Sequence, residues 1–402
     1  MKALLVTLLM LEALALPALA APVLDKVVIL QRHGVRSPTK APAALAPFAR
    51  DAWSAWPVAP GELTDHGALA LSRMGEALGR RYAKLLANGN CANLFVWADN
   101  ADQRTRRSGQ VMAQALGCQA AVQWAQGDND PLFHGDELCP AAPKAAQAAV
   151  AVRLYDMLAA NRTRYDTARS TLAKILTPGL SQTDCANSND KKCALLSDRN
   201  QVRDDGKLSG VLADASTLSE NLFLEYAQGM ESPGWGRMSN ADLATIMPLH
   251  DMASDLGRHT PLLAAHNGTL LAHQIEALLT DTDFRIAVPR NVRLVLLAGH
   301  DTNLSNIAGM LGLNWTLPEE PDATAPDTAL AFERWHDRRG DFIRIRLFYQ
   351  TADQLRSASR LSTPRRLDLS LTDCGKDCAL SQVTARLQAA MAKECLAPAA
   401  DH

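Results

Sequence analysis

Apolar residues along the chain fall into two textures: short continuous runs that end in polar clusters, and longer stretches with apolar positions three or four apart. Lys26 to Gln31 (KVVILQ) reads as a buried strand running straight into RHGVRSPTK, where Pro38 blocks immediate helical continuation. From 64 to 88, Leu71, Met74, Leu78, Tyr82 and Leu85 recur at helical spacing, with Thr64 or Asp65 as start signal and Gly89 as stop. Asn93 to Ala98 (NLFVWA) reads as a second strand. After it, DNADQRTRRSGQVMAQALG is a loop and then a helix ending near Gly117, with Arg104 in its first turn. NVRLVLLAG at 291 to 299 is the clearest buried strand, and HDTNLSNIAGML continues into a helix from about Thr302. FIRIRLFYQ, within 327 to 350, returns to strand-like alternation.

This alternation of strands and helices predicts an α/β core. From about 143 to 255 helical patterns dominate, interrupted by SQTDCANSNDKKCALLSD and QGMESPGWGRM. The expected organisation is a mainly helical subdomain over 143–255, inserted into a discontinuous core of 21–142 and 256–402. The strands ending near 31, 98 and 299 share one form: strand, polar residues, then a turn or helix. Ligands of open α/β sheets sit beyond the carboxyl ends of the strands. Arg32, His33, Arg36, Arg104, His300 and Asp301 are therefore expected to converge.

Composition narrows the chemistry. With 402 residues, 47% hydrophobic and 21% charged, the chain is globular, and a net charge of −2 leaves no generally basic surface for nucleic acid. Anion binding must come from a local cluster. At the N-terminus, Lys2, the apolar stretch Ala3 to Leu16 and the A-x-A site Ala18-Leu19-Ala20 read as a signal peptide, so residues 1–20 are expected to be removed and the chain exported. Glu12 argues against a permanent span, and no later segment is long and apolar enough to cross a bilayer. In an oxidising compartment the eight cysteines suggest disulfides, whose pairing the spacing leaves open. Without a CxxC pair or a His-x3-5-His partner, no metal site is expected.

Two guanidinium charges ~4 Å apart at an effective dielectric of ~20 repel by ~4 kcal/mol, so three arginines meeting at one point call for a dianion. Planar guanidiniums match phosphate oxygens, which makes phosphoryl the natural ligand. His33 can then attack phosphorus through a neutral nitrogen, with the arginines stabilising the equatorial oxygens and His300 adding a hydrogen bond. Asp301 can protonate the leaving oxygen and then activate water, a role that favours acidic conditions. Each fragment also has a plain structural reading. RHG occurs on solvated loops, Asp301 can be a helix N-cap, and RTRR at 104–107 can be a solvated helix face. Their joint occurrence favours the chemical one.

RHGVRSP with the distant HDTN resembles the histidine acid phosphatase branch of the histidine phosphatase superfamily. The likeness extends through DAWSAWPV, QRTR, AQGMESPGWGR, GHDTNLSNIAGMLGLNWTLP and FYQTADQLR, and it looks closest to bacterial periplasmic phytases, which remove phosphate from myo-inositol hexakisphosphate. The resemblance implies a mixed, mostly parallel sheet flanked by helices, of phosphoglycerate-mutase-like form. It implies His33 as nucleophile, Asp301 as proton donor, and Arg32, Arg36, Arg104 and His300 as phosphate ligands, with Thr39 and Lys40 holding the scissile or neighbouring phosphates. Glu220 matches an acidic position lining the cleft, against the alternative of a packed helix face. The same pattern implies the pairs Cys91–Cys118, Cys139–Cys395, Cys185–Cys193 and Cys374–Cys378. It also implies a cofactor-free, metal-free periplasmic monomer whose partner is a small phosphate ester.

One departure stands in TPLLAAHNGTLL, where related phytases often carry a basic side chain and this chain has Ala265, His266 and Asn267. His266 replaces that charge only when protonated, or else is a helix-surface histidine. The HDTN form points to phytase over glucose-1-phosphatase, which stays the nearest alternative together with a broad phosphomonoesterase. A non-catalytic phosphate-binding protein is the alternative from another class. The presence of both His33 and Asp301 argues against it.

Overall fold

The structure is a computed structural model describing residues 21–86, 91–127, 130–137, 139, 142–185 and 190–396; the expected signal peptide lies outside the described residues. Its strands are β1 (Val23–Arg32), β2 (Leu94–Ala98), β3 (Val122–Gln123), β4 (Asn200–Val202), β5 (Leu208–Gly210), β6 (Leu294–Gly299), β7 (Ala329–Asp337), β8 (Gly340–Tyr349), β9 (Arg365–Leu369) and β10 (Cys378–Ala379). One sheet runs in the order β10-β8-β7-β1-β6-β2-β3, with β9 also on β8, while β4 and β5 form a separate hairpin. β1, β6, β2 and β3 are parallel, and β7 to β10 add antiparallel strands on the other side of β1. This is the mixed α/β sheet the patterning predicts.

The unbroken apolar run of β1 follows from burial on both faces. Val28 and Leu30, with Val295 and Leu297 of β6, pack into a core with Leu271, Ile275 and Ile307. Val27 and Ile29, with Leu294 and Leu296, pack on the opposite face against Leu71, Met74, Leu78 and Met112. Leu71, Met74 and Leu78 are the periodic residues of the helix Asp65–Arg81, whose N-cap Thr64 accepts a hydrogen bond from the Gly67 N–H at 2.8 Å. That helix stops before residue 88. Tyr82, which continues the apolar spacing, is buried with its hydroxyl donating to Glu333 at 2.9 Å, so a tertiary contact overrides the periodicity.

Between β3 and β6 lie the helices Lys144–Ala160, Arg162–Leu176, Val211–Ala227, Asn240–Ile246 and Pro248–Arg258. They share a third apolar core that includes Leu172, Leu222 and Leu249 and takes in Phe48 and Trp53 from the segment after β1. The β4–β5 hairpin in this region was not expected, because three-residue strands carry no periodic signal.

Disulfides join Cys139 to Cys395, Cys185 to Cys193 and Cys374 to Cys378. Cys91 and Cys118, the fourth expected pair, are neighbours, with Cys118 buried and in hydrogen-bond contact with Cys91. Among the described residues no helix is long and apolar enough to cross a membrane.

Candidate active site

Register brings the chemistry together. Arg32 at the end of β1 lies opposite Gly299 of β6, and Ala98 of β2 lies opposite Ala298, so three parallel strands finish flush. The residues just beyond those ends are His33, Asp99 and His300-Asp301. The His33 N–H donates to Gly299 O at 3.0 Å and the Asp99 N–H to Ala298 O at 3.0 Å, continuing the ladders into the site. From the helix Gln103–Ala115, Ser108 Oγ accepts the Gly34 N–H at 3.1 Å and secures the loop after β1.

These ends open into a cleft of about 930 Å³ lined by His33, Arg36, Thr39, Lys40, Arg104, Glu220, His300 and Asp301, among others. Arg32 is fully buried behind it. All nine residues singled out from the sequence therefore lie in or directly behind one cleft.

His33 Nδ1 lies 2.9 Å from the Gly34 carbonyl oxygen, which only accepts, so Nδ1 carries the proton and Nε2 keeps its lone pair. Burial, followed by Arg104, Arg36, Arg32 and His300, holds the imidazole pKa well below its ordinary value of 6.5. The shift favours the neutral ring.

The arginines are compensated by carboxylates. Arg32 donates to Asp322 at 2.7 Å, to Thr324 O and to Glu220 at 2.8 Å, while Arg36 donates to the same Glu220 oxygen at 3.0 Å. Glu220 is thus the shared counter-ion of Arg32 and Arg36 rather than part of a packed helix face. Burial works against its charge, but Arg36, His250 and Arg32 prevail and lower its pKa to about 2. Arg104 pairs with Asp102 at 2.5 Å. These carboxylates offset the repulsion expected of a bare arginine cluster.

His300 is oriented from behind by a residue the sequence reading passed over. Its Nε2 donates to Asp99 Oδ2 at 2.6 Å, and His134 Nε2 donates to the same oxygen at 2.9 Å. Burial opposes the Asp99 charge, yet the two imidazole hydrogen bonds keep its pKa well below the usual carboxylate range. The His33 and His300 ring centroids are 5.6 Å apart.

Asp301 departs from simple expectation. Its Oδ2 accepts from Arg258 at 2.5 Å and sits 3.7 Å from Arg32. Burial pushes its pKa up, but Arg258, Arg32 and His250 outweigh that and hold it well below 3.8. This environment favours the carboxylate form of the expected proton donor. His250 completes this corner: donor atoms of Glu220, His250 and Asp301 lie within 4.8 Å of one another. Its Nδ1 lies 3.2 Å from Ser216 Oγ, and its Nε2 has no partner among the described residues.

Arg258, His250 and His134 carried no sequence signal, since each sits in an ordinary-looking helix or loop. Asp99 was findable by the strand-end rule that selected His33 and His300. His266 lines the cleft as a buried side chain, not a helix-surface one, with Nδ1 2.9 Å from Asn267 Oδ1.

Known proteins share both sequence and fold with this chain. The family model of the histidine phosphatase superfamily (branch 2) matches residues 23–350. Phytase AppA of Escherichia coli (strain K12) is 34% identical over 378 residues, covering 87% of each chain. A glucose-1-phosphatase of Providencia rettgeri is 27% identical over 378 residues, covering 88% of each. Hafnia alvei phytase in its apo form superposes with a TM-score of 0.86 at 32% identity, covering 95% of this chain and 100% of that one, and the same enzyme is known in complex with myo-inositol hexakis sulphate. A match over most of the chain, to the family model and to relatives of this identity, means that the protein belongs to the histidine phosphatase superfamily, branch 2.

Proposed function

We propose that the protein is an exported acid phosphatase that hydrolyses phosphomonoesters through a phosphohistidine intermediate, with phytate as its substrate. The carrying observation is His33, neutral, with Nε2 unprotonated, among three arginines and opposite a carboxyl at the next strand end. Its Nε2 lone pair forms the bond to phosphorus as the ester oxygen leaves with its electron pair. Arg32, Arg36, Arg104 and His300 hold the equatorial oxygens. Asp301 gives its proton to the leaving alkoxide, then removes one from the water that cleaves the phosphorus–nitrogen bond, releasing inorganic phosphate and neutral His33.

The free enzyme's ionised Asp301 fits this scheme if the proton arrives with the substrate. A phosphate dianion beside it neutralises the local cations and raises its pKa, so binding and protonation are linked and acidic pH favours both. Thr39 and Lys40 line the same cleft and face the remaining substrate. Ala265 and Asn267 bring no cation to the opposite wall, which keeps glucose 1-phosphate as the competing substrate. After export, the adjacent Cys91 and Cys118 thiols oxidise to the fourth disulfide.

Initial phosphate release from phytate, glucose 1-phosphate and p-nitrophenyl phosphate between about pH 3 and 7, the span separating carboxylate from imidazole titration, tests the reading. Phytate is expected to lead, and a clear preference for glucose 1-phosphate overturns the substrate assignment. Acid quench after brief exposure to labelled substrate should leave phosphate on His33. Absence of both trapping and turnover would return the protein to a binding role.

A further inference from the structure

Arg32 is gripped from behind by the loop Glu320–Thr324, through Asp322 and Thr324 O. A second cavity, of about 610 Å³, meets that loop and is lined by Asp251, Trp315, Leu317, Glu320, Ala323 and Arg164, among others. Glu320 is only 6% exposed; its Oε1 accepts the Asp322 N–H at 3.0 Å, while its Oε2 is buried with no hydrogen-bond partner among the described residues. Asp251 accepts the Ala323 N–H at 3.1 Å. Asp322, the third carboxylate of the group, is already paired with Arg32 at 2.7 Å. Arg164 in the cavity wall is an exposed side chain and closes no ion pair with Asp251 or Glu320 among the described residues.

A buried carboxyl with one oxygen unpartnered among the described residues, beside a half-buried one that no cation pairs with directly, is an unfinished arrangement. Burial, with repulsion from Asp322, pushes Asp251 up to about 7 and Glu320 well above its ordinary range. A proton on Glu320 Oε2 removes the charge but creates a buried hydroxyl with nothing to accept its hydrogen bond. A metal ion lacks its cage, because no three His, Cys, Asp or Glu donor atoms converge within 4.8 Å here among the described residues. An ammonium group supplies charge and N–H donors together. The cavity also has the apolar wall that an alkyl amine needs: the Trp315 indole is fixed by its Nε1–H donating to Ala323 O at 2.7 Å, and Leu243, Leu317 and Pro321 flank it.

We propose that this cavity binds an organic ammonium cation, a small diamine or polyamine, with its N–H groups on Glu320 and Asp251 and its carbon chain against Trp315. Titration calorimetry of the mature chain with spermidine and with 1,4-diaminobutane, at constant ionic strength, tests it. Binding is expected in the wild type, with a rise in Tm, and Glu320→Gln and Asp251→Asn should each weaken it at least about tenfold, as loss of a charged hydrogen bond implies. Both substitutions keep the size of the side chain and an oxygen for its loop N–H, and a thermal melt of each establishes that it folds. His33→Ala, inactive as a phosphatase, should bind the amine as the wild type does, which separates this site from the catalytic cleft. Undiminished binding in both carboxyl variants, equal displacement by magnesium chloride at matched ionic strength, or no binding at all would each overturn the proposal.

Discussion

In the proposed mechanism Asp301 faces opposing demands: Arg258 at 2.5 Å favours its charged form, whereas a general acid must carry a proton when an ester is bound. Asp301→Asn should slow hydrolysis of alkyl phosphates by roughly 10²- to 10⁴-fold, the usual share of a general acid, while p-nitrophenyl phosphate, whose leaving group needs no proton, should lose far less. Equal losses with both substrates would remove Asp301 from the acid role. Arg258→Met makes the complementary change. Removing the cation raises the Asp301 pKa, so the proton is retained to higher pH and the alkaline limb of kcat/KM should move upward. A limb that stays in place would detach Arg258 from the proton on Asp301.

The loop after β1 is shaped by the helix beneath it. A Cβ on Gly67, in the first turn of Asp65–Arg81, would lie 2.0 Å from Val35 O and 2.9 Å from Val35 N, and those are backbone atoms that cannot rotate aside. The Thr64 N–H donates to the same Val35 oxygen at 3.2 Å, so helix and loop are locked one residue from Arg36. Gly67→Ala should cost about 1–3 kcal/mol, as overpacking does, and lower kcat/KM by displacing Arg36; a thermal melt and steady-state kinetics check the two effects separately. Unaltered values in both would mean that the loop yields freely. The same scale explains what was readable beforehand. Strands buried on both faces announce themselves as apolar runs, and polar residues at their carboxyl ends mark a site, which is how Arg32, His33, His300 and Asp301 were legible. Arg258 closes an amphipathic helix, His250 sits in the first turn of that helix and His134 lies in a loop, so their placement at the site depends on tertiary packing with no local pattern. Glu220 was legible only through family resemblance, because its helix buries residues on nearly every side and hides which polar ones point at the cleft.

Across the whole molecule, buried carboxyls split into two classes with opposite pH behaviour. Asp99 and Asp301 have pKa values held below their ordinary 3.8, through imidazole hydrogen bonds and through guanidinium pairing. Their stabilisation is present above that ordinary pKa and is lost as pH falls through the folded value. Asp251, Glu320 and Asp327 are displaced upward by burial, Asp251 from 3.8 to about 7. Their contribution is full below the unfolded pKa and disappears as pH rises through the folded one. Stability should therefore peak in mildly acidic solution, the same range in which Asp301 can be protonated by a bound ester. Asp251 titrates within the window between about pH 4 and 7, and a displacement of that size corresponds to an upper bound of ~4 kcal/mol at ~1.4 kcal/mol per unit. Asp251→Asn keeps an oxygen for the Ala323 N–H but no longer titrates. Urea unfolding without added amines should find the wild type less stable at pH 8 than at pH 5, and the variant losing at most about 2–3 kcal/mol less over that interval, since only the part of the titration above pH 5 falls within it. If the two proteins decline in parallel, Asp251 is not the source of the slope, and Glu320 and Asp327 become the groups to substitute next.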